Sequence, residues 1–223
     1  MIDKRVGSLA DIVADCPDLR DGAIMLIGGF GDAGVPEKLI DTVRDLGLRD
    51  LTVVSNNAGS GDYGIAALLK AGCVSRMVCS FPRSAGSVVF EALYAAGKIE
   101  LEIVPQGTLA ERIRAGGAGI PAFYTATGYG TPLAAGKETR EFEGRHYVME
   151  RAIRADVALI HARTADRWGN LTYPKTARNF NPIMAMAAAT TLAEVRRFVD
   201  TVPPEEVVTP GIFVTRMVEV GER

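Results

Sequence analysis

Residues 28–34 (Gly28-Gly29-Phe30-Gly31-Asp32-Ala33-Gly34) hold four glycines in seven positions. Glycine takes positive φ without a Cβ penalty and lets a ligand come close to the main chain. The apolar run Ala23-Ile24-Met25-Leu26-Ile27 precedes the stretch, and Pro36 follows it, just ahead of Leu39, Ile40, Val43 and Leu46. The run has the character of a buried parallel strand, and proline suits the first turn of a helix. Strand, glycine-rich turn and helix together let backbone N–H groups converge on an anion or a bound acyl group. The turn names no ligand by itself.

Side-chain catalysts of the usual kinds are scarce. His146 lies in the alternating segment Arg145-His146-Tyr147-Val148-Met149, and His161 closes the apolar run Val157-Ala158-Leu159-Ile160. Neither has an acid, nucleophile or ligand partner nearby in sequence, so structural or surface roles are expected for both. Cys79 ends an apolar run and reads as a small buried side chain. Cys16, Cys73 and Cys79 are odd in number and lack ligand spacing, so no metal site is expected. The sequence shows no Ser-His-Asp order.

The 223 residues are 48% apolar with a net charge of −2, enough for a sizeable core and without the footprint of nucleic-acid or anionic-membrane binding. No run reaches transmembrane length, and Asp3-Lys4-Arg5 does not open a signal peptide. The expected setting is a reducing cytoplasm.

Elements that would position the glycine turn follow from apolar periodicity. Ser8 reads as the N-cap of a helix carrying Leu9, Ile12, Val13 and Cys16 on one face. Strands are predicted at 23–27, 51–55, 74–80 and 99–103, and helices carry Ile65, Leu68 and Leu69, then 88–96, then 109–114. The alternating Ile99-Glu100-Leu101-Glu102-Ile103 suits a strand near an edge. Such alternation of strands and helices predicts an α/β fold, a mainly parallel sheet covered by helices on both faces. The loops at Gly28, Asn56, Phe81 and Gln106 should then stand side by side beyond the strands' carboxyl ends. Residues 115–131 are too glycine-rich for a helix or interior strand, and Ile120, Phe123, Tyr124 and Tyr129 argue for an ordered loop lining a pocket or subunit contact. Val157–Ile160 is a further strand, Trp168-Gly169-Asn170-Leu171 a turn, and 211–218 a late strand. No boundary divides the chain, so one domain spanning 1–223 is expected.

Several of these segments, in order, resemble the A (alpha) subunit of the family I CoA-transferases of the 3-oxoacid type. They are Asp21-Gly22 through Gly28-Gly29-Phe30, Gly34 and Pro36, then Ser55-Asn56-Asn57-Ala58-Gly59, then the block from Pro105-Gln106-Gly107-Thr108 to Gly116-Gly117-Ala118-Gly119. Thr127-Gly128-Tyr129-Gly130-Thr131 and Ala177-Arg178-Asn179-Phe180 complete the set. Cys79-Ser80-Phe81-Pro82-Arg83-Ser84 and Asp166-Arg167-Trp168-Gly169-Asn170-Leu171-Thr172 are similar to the branch of that family acting on 3-oxoadipate in aromatic-compound degradation.

The resemblance implies the α/β fold shared by CoA-transferases and sugar-phosphate isomerases. It also implies transfer of CoA from succinyl-CoA to 3-oxoadipate, with the CoA thioester as substrate and no cofactor. In the family the B subunit carries a Ser-Glu-Asn-Gly motif, whose glutamate attacks the acyl-CoA and forms anhydride and thioester intermediates. This chain has no such motif. Glu37 suits a helix first turn, Glu111 a charged helix segment, and Glu100 and Glu102 a polar strand face. The chain is therefore expected to be half an enzyme needing a B-subunit partner.

The resemblance places the Gln106 and Asn56 amides beside the reacting acyl group, with Gln106 the first choice as oxyanion donor. Gly28, Gly29, Phe30, Gly31, Asp32, Ala33 and Gly34, together with Gly117, Ala118 and Gly119, would bind the CoA or acyl group. Asp32 would cap the following helix or face water, which argues against a pyrophosphate directly on the turn. Arg83 could read the second carboxylate of 3-oxoadipate, or form a surface salt bridge. Other readings stay open: one half of a short-chain 3-oxoacid (acetoacetate) or acetate transferase, an isomerase-like small-anion-binding protein, or an inactive homologue.

Overall fold

The computed structural model describes residues 2–83 and 86–221. In chain order it begins β1 (Arg5–Val6), α1 (Leu9–Val13), β2 (Ile24–Ile27), α2 (Glu37–Asp45), β3 (Leu51–Val54), α3 (Gly64–Lys70), β4 (Val74–Cys79), α4 (Val88–Ala95), β5 (Glu100–Ile103) and α5 (Gln106–Gly117). It continues β6 (Ala122–Thr125), β7 (Thr139–Phe142), β8 (Arg145–Arg151), β9 (Ala155–Ala165), β10 (Leu171–Thr172), α6 (Asn181–Ala187), β11 (Ala188–Phe198) and β12 (Arg216–Glu219).

The main sheet runs β1-β12-β11-β9-β2-β3-β4-β5, parallel throughout, and β10 joins β9 antiparallel. Alternate residues of each strand feed opposite cores, as a pleated sheet requires. Met25, Ile27, Val53, Met77 and Leu159 face α1–α4 with Leu39, Ile40 and Leu68, whereas Leu26, Val54, Val78, Ala158 and Ile160 pack with Leu109, Ile113 and Met184 of α5 and α6. Helices thus cover both faces, and β5 stands at the edge. Strand order reverses between β2 and β9, and at such a switch point the carboxyl-end loops diverge and open a crevice.

Ser8 does cap α1, its hydroxyl accepting the Asp11 N–H at 3.1 Å. The helix stops at Val13, so Cys16 lies beyond it, and Leu46 is the exposed C-cap of α2. Two larger expectations need correction. Residues 115–131 do not form one glycine-rich loop: α5 continues to Gly117, and β6 pairs with β8 in a small antiparallel sheet, β6-β8-β7. The glycines are there for contact, because a Cβ on Gly116 would sit 1.9 Å from the Ile153 carbonyl and one on Gly117 2.9 Å from that of Met186. Tertiary packing overrides helix propensity. The late strand is also shorter than 211–218. Gly211–Phe213 forms a 3₁₀ turn tucked under Trp168, where a Gly211 Cβ would lie 2.2 Å from the Trp168 carbonyl, and β12 starts at Arg216.

The 166–172 motif shapes the β9–β10 turn. Asp166, fully buried, accepts the N–H groups of Trp168, Asn170 and Val202 and the Asn170 side-chain amide.

Asp156 ties β9 to β2: it accepts the Ile24 N–H at 2.8 Å and pairs with Arg20 at 2.8 Å. Burial opposes its ionisation, but the Ile24 N–H and Arg20 outweigh that and hold the carboxyl below its ordinary value. A depressed carboxyl stabilises the fold above its unfolded value of about 4, and the benefit disappears as pH falls through the folded value. An Asp156→Asn variant should therefore melt below wild type at pH 7. The gap should close below about pH 4, as thermal melts across pH will check.

Candidate functional site

Four consecutive parallel strands, β2 to β5, present their carboxyl-end loops side by side, and a cavity of about 610 Å³ opens among them. Phe30, Gly31 and Asp32 line it from the glycine turn, Asn56 and Asn57 from the β3 loop, Ser80 and Phe81 from the β4 loop, and Gln106 from the first residue of α5.

Asn56 is buried at the centre, and its carbonyl accepts the N–H groups of Ser80 and Phe81 at 3.2 and 3.0 Å. Its side-chain Oδ1 accepts from the Ser80 hydroxyl at 2.7 Å and from Gln106 Nε2 at 3.0 Å. That leaves the Asn56 Nδ2 group and one N–H of Gln106 without a protein acceptor among the described residues. Gln106 also sits at the amino end of a 12-residue helix, whose dipole adds positive field there. These uncommitted amide donors can stabilise negative charge developing on a bound carbonyl oxygen.

The glycine turn is built from within. The Gly28 N–H donates to the Leu159 carbonyl, and Phe30 and Ala33 exchange N–H···O bonds of 3.0 and 3.1 Å. Gly31 and Asp32 keep N–H groups with no partner among the described residues, and a Cβ on Gly31 would meet nothing within 4 Å. Gly28 and Gly34 serve packing instead: Cβ atoms there would lie 1.9 Å from Asn181 Oδ1 and 2.9 Å from Asn181 Nδ2. Only the Phe30–Asp32 part of the turn faces the cavity.

Asn181, on the first turn of α6, was not singled out in the sequence. Fully buried, it accepts the His161 N–H and donates to the carbonyls of Gly34 and Ala177. It pins the glycine turn to β9 and to the 177–180 segment. The Asn181-Pro182 pair at a helix start was the available signal.

Asp32 faces solvent and accepts the Tyr63 hydroxyl at 3.2 Å; it does not cap α2. Its negative charge holds the Tyr63 phenol above its ordinary value, so the phenol stays protonated. Cys79 is fully buried, and burial pushes its thiol up to about 12, which removes it as a nucleophile. His161 is buried against Glu194 at 2.8 Å, and His146 stacks on Tyr129, so both play structural roles. Arg83 lies outside the cavity lining, 78% exposed and 3.5 Å from Glu91; Ser84, which ends its motif, lies outside the described residues. Gly117 ends α5 about 16 Å from Gln106 at 1.5 Å per residue, Ala118 and Gly119 follow it, and the structure does not bring the three to this cavity. Among the described residues, no helix is long and apolar enough to cross a membrane, and no group of three His, Cys, Asp or Glu could hold a metal.

Comparison with known proteins matches residues 9–220 to the family described as Coenzyme A transferase. The chain is 58% identical over 223 residues to the A subunit of 3-oxoadipate CoA-transferase from Pseudomonas putida, covering 99% of this chain and 95% of that protein. It is 53% identical over 213 residues to the A subunit of succinyl-CoA:3-ketoacid coenzyme A transferase from Xanthomonas campestris, covering 95% and 85%. Among solved structures, glutaconate coenzyme A-transferase of Acidaminococcus fermentans superposes with a TM-score of 0.83 at 20% identity, over 98% of this chain and 76% of that one; the likeness is one of fold.

Proposed function

Because the chain belongs to the coenzyme A transferase family, we propose that it is the A subunit of a CoA-transferase that moves CoA from succinyl-CoA to 3-oxoadipate, in the cytoplasm, as a step in aromatic-compound degradation. The relatives' names supply both substrates and the place of the chain in a two-part enzyme. The observation that carries the reading is the cavity's composition: among its described lining residues it has uncommitted amide donors and no glutamate, histidine or cysteine. It is equipped to hold a reacting carbonyl and not to attack one.

The attacking group is a glutamate of the partner B subunit. Its carboxylate oxygen bonds to the thioester carbonyl carbon, and the charge on the carbonyl oxygen is met by the Gln106 and Asn56 donors. Collapse breaks the C–S bond, giving a mixed anhydride and CoA thiolate. The thiolate then attacks the glutamyl carbonyl, which releases succinate and leaves a glutamyl–CoA thioester. The 3-oxo acid reverses these steps to leave as its CoA thioester. Asp32, a carboxylate on the cavity wall, is engaged by Tyr63 and is not the nucleophile in this scheme.

The test is reconstitution. The chain alone should transfer nothing from succinyl-CoA, and addition of a B subunit carrying the Ser-Glu-Asn-Gly motif should restore transfer with 3-oxoadipate preferred over acetoacetate. Full activity from the chain alone would overturn the half-enzyme reading, and equal use of both acids would overturn the acceptor.

A further inference from the structure

A second cavity, of about 590 Å³, lies on the far side of the glycine turn, between Asp32–Gly34 and Pro174–Ala177. It meets the acyl cavity at Asp32, which lines both. Its walls carry Arg163 of β9, Arg196 of β11 and Lys175. Among the described residues none of the three forms an ion pair with a carboxylate; the hydrogen bond of Arg196 goes from Nε to His161 Nε2 at 3.3 Å. Asp32, the carboxylate at the shared wall, takes the Tyr63 hydroxyl on the acyl side.

The sheet register sets two of these cations side by side. Ala162 pairs with Val195 and Thr164 with Arg197, so Arg163 and Arg196 fall opposite each other on neighbouring strands. Like charges directly opposite across a sheet repel unless an anion lies between them. Arg196 is moreover held from behind. His161 Nδ1 is 2.8 Å from Glu194 Oε1, and Glu194 Oε2 accepts the Leu39 N–H in the first turn of α2 at 3.0 Å. Glu194 is 2% and His161 9% exposed, so the relay is rigidly packed. It occupies the guanidinium Nε and leaves the Nη groups for the cleft.

Resting on the transferase reading, we infer that this cleft is a phosphate subsite that holds the phosphorylated end of the CoA thioester while the acyl end occupies the neighbouring cavity. Phosphate oxygens match the guanidinium fork, and CoA carries several phosphate charges. The cleft is concave and joined to the acyl cavity, which suits one elongated small molecule better than a flat protein contact. Arg163, Arg196 and Lys175 touch the ligand; His161 and Glu194 position Arg196.

Steady-state kinetics of the complex with its B subunit tests this with two donors, succinyl-CoA and succinyl-pantetheine, the second lacking the phosphates. Arg163 is exposed, and its side chain makes no hydrogen bond or ion pair among the described residues; Arg163→Gln should raise KM for succinyl-CoA about tenfold at near-constant kcat. Arg163→Gln with Arg196→Gln should raise it further, and neither should alter KM for succinyl-pantetheine. An unchanged KM for succinyl-CoA in the double variant overturns the subsite. So does an equal rise for both donors, or an unchanged KM with weaker binding of the B subunit in sedimentation, which would mark a docking surface for protein. If the wild-type complex transfers no CoA, the transferase reading fails. The cleft is then judged by calorimetric titration of CoA into the full chain: binding lost in the double variant supports it, and equal binding or none overturns it.

Discussion

Gln106→Ala should lower kcat about 10²–10³-fold, equivalent to roughly 2.7–4 kcal/mol of transition-state stabilisation. Its Nε2 group spends one hydrogen on Asn56 Oδ1, which orients the amide, and offers the other to the cavity from the positive end of α5. Charge builds on the thioester oxygen only after attack, so the loss should fall on kcat with acyl-CoA KM little changed. Gln106→Glu has the same size but presents a carboxylate to the developing oxyanion, and should be at least as impaired. Asn56→Ala removes a donor and also the acceptor that orients Gln106 and Ser80. The two alanine substitutions combined should therefore cost less than the product of the single losses, as residues acting as a unit do. A Gln106→Ala complex that kept kcat within about threefold would remove Gln106 from the oxyanion site.

The largest stability loss near the site is expected at Asn181. Alanine there strands the His161 N–H and the Gly34 and Ala177 carbonyls, all of which Asn181 satisfies. Each buried unpaired group costs about 1–3 kcal/mol, and partial relaxation brings the total to roughly 3–5 kcal/mol. For a chain of this size that is a drop of about 10 °C in Tm. Asn181→Asp separates the roles, since it keeps the acceptor for His161 but turns carboxylate oxygen toward two carbonyls; it should be no more stable than Asn181→Ala. Because Asn181 seats the turn bearing Phe30–Asp32, acyl-CoA KM should rise in whatever fraction folds. An Asn181→Ala protein melting within about 2 °C of wild type would show that the glycine turn holds itself.

Much of this site was legible in the chain. The loops after residues 27, 54, 79 and 103 were expected side by side, and they are. Strands linked by helical crossovers of one hand settle next to one another, so chain order becomes spatial order from β2 to β5. The edge position of β5 was legible in its alternating glutamates, of which Glu102 now pairs with Arg76 and Arg112. Other features were hidden by glycine's double use. Gly31 looks into open space, whereas Gly28, Gly34, Gly116 and Gly117 are small because another segment presses on them. Local sequence does not distinguish these cases, because the pressing atom belongs to residues far along the chain.

Apolar periodicity laid out the elements from β2 to β5 and the loops that follow them, since each strand–loop–helix unit is local, and the lack of an attacking glutamate motif is read directly from the chain. Periodicity did not mark β6 to β8, α6 or β11. Tertiary packing sets which turn residues face the cavity, why the glycines flanking them must be small, and that Arg163 and Arg196 fall opposite each other on β9 and β11. Those outcomes depend on β9 and β11 crossing to the other side of β2 at the switch point. Only there does Asn181 reach both the turn and the His161 N–H, and His161 reach Glu194 and Arg196.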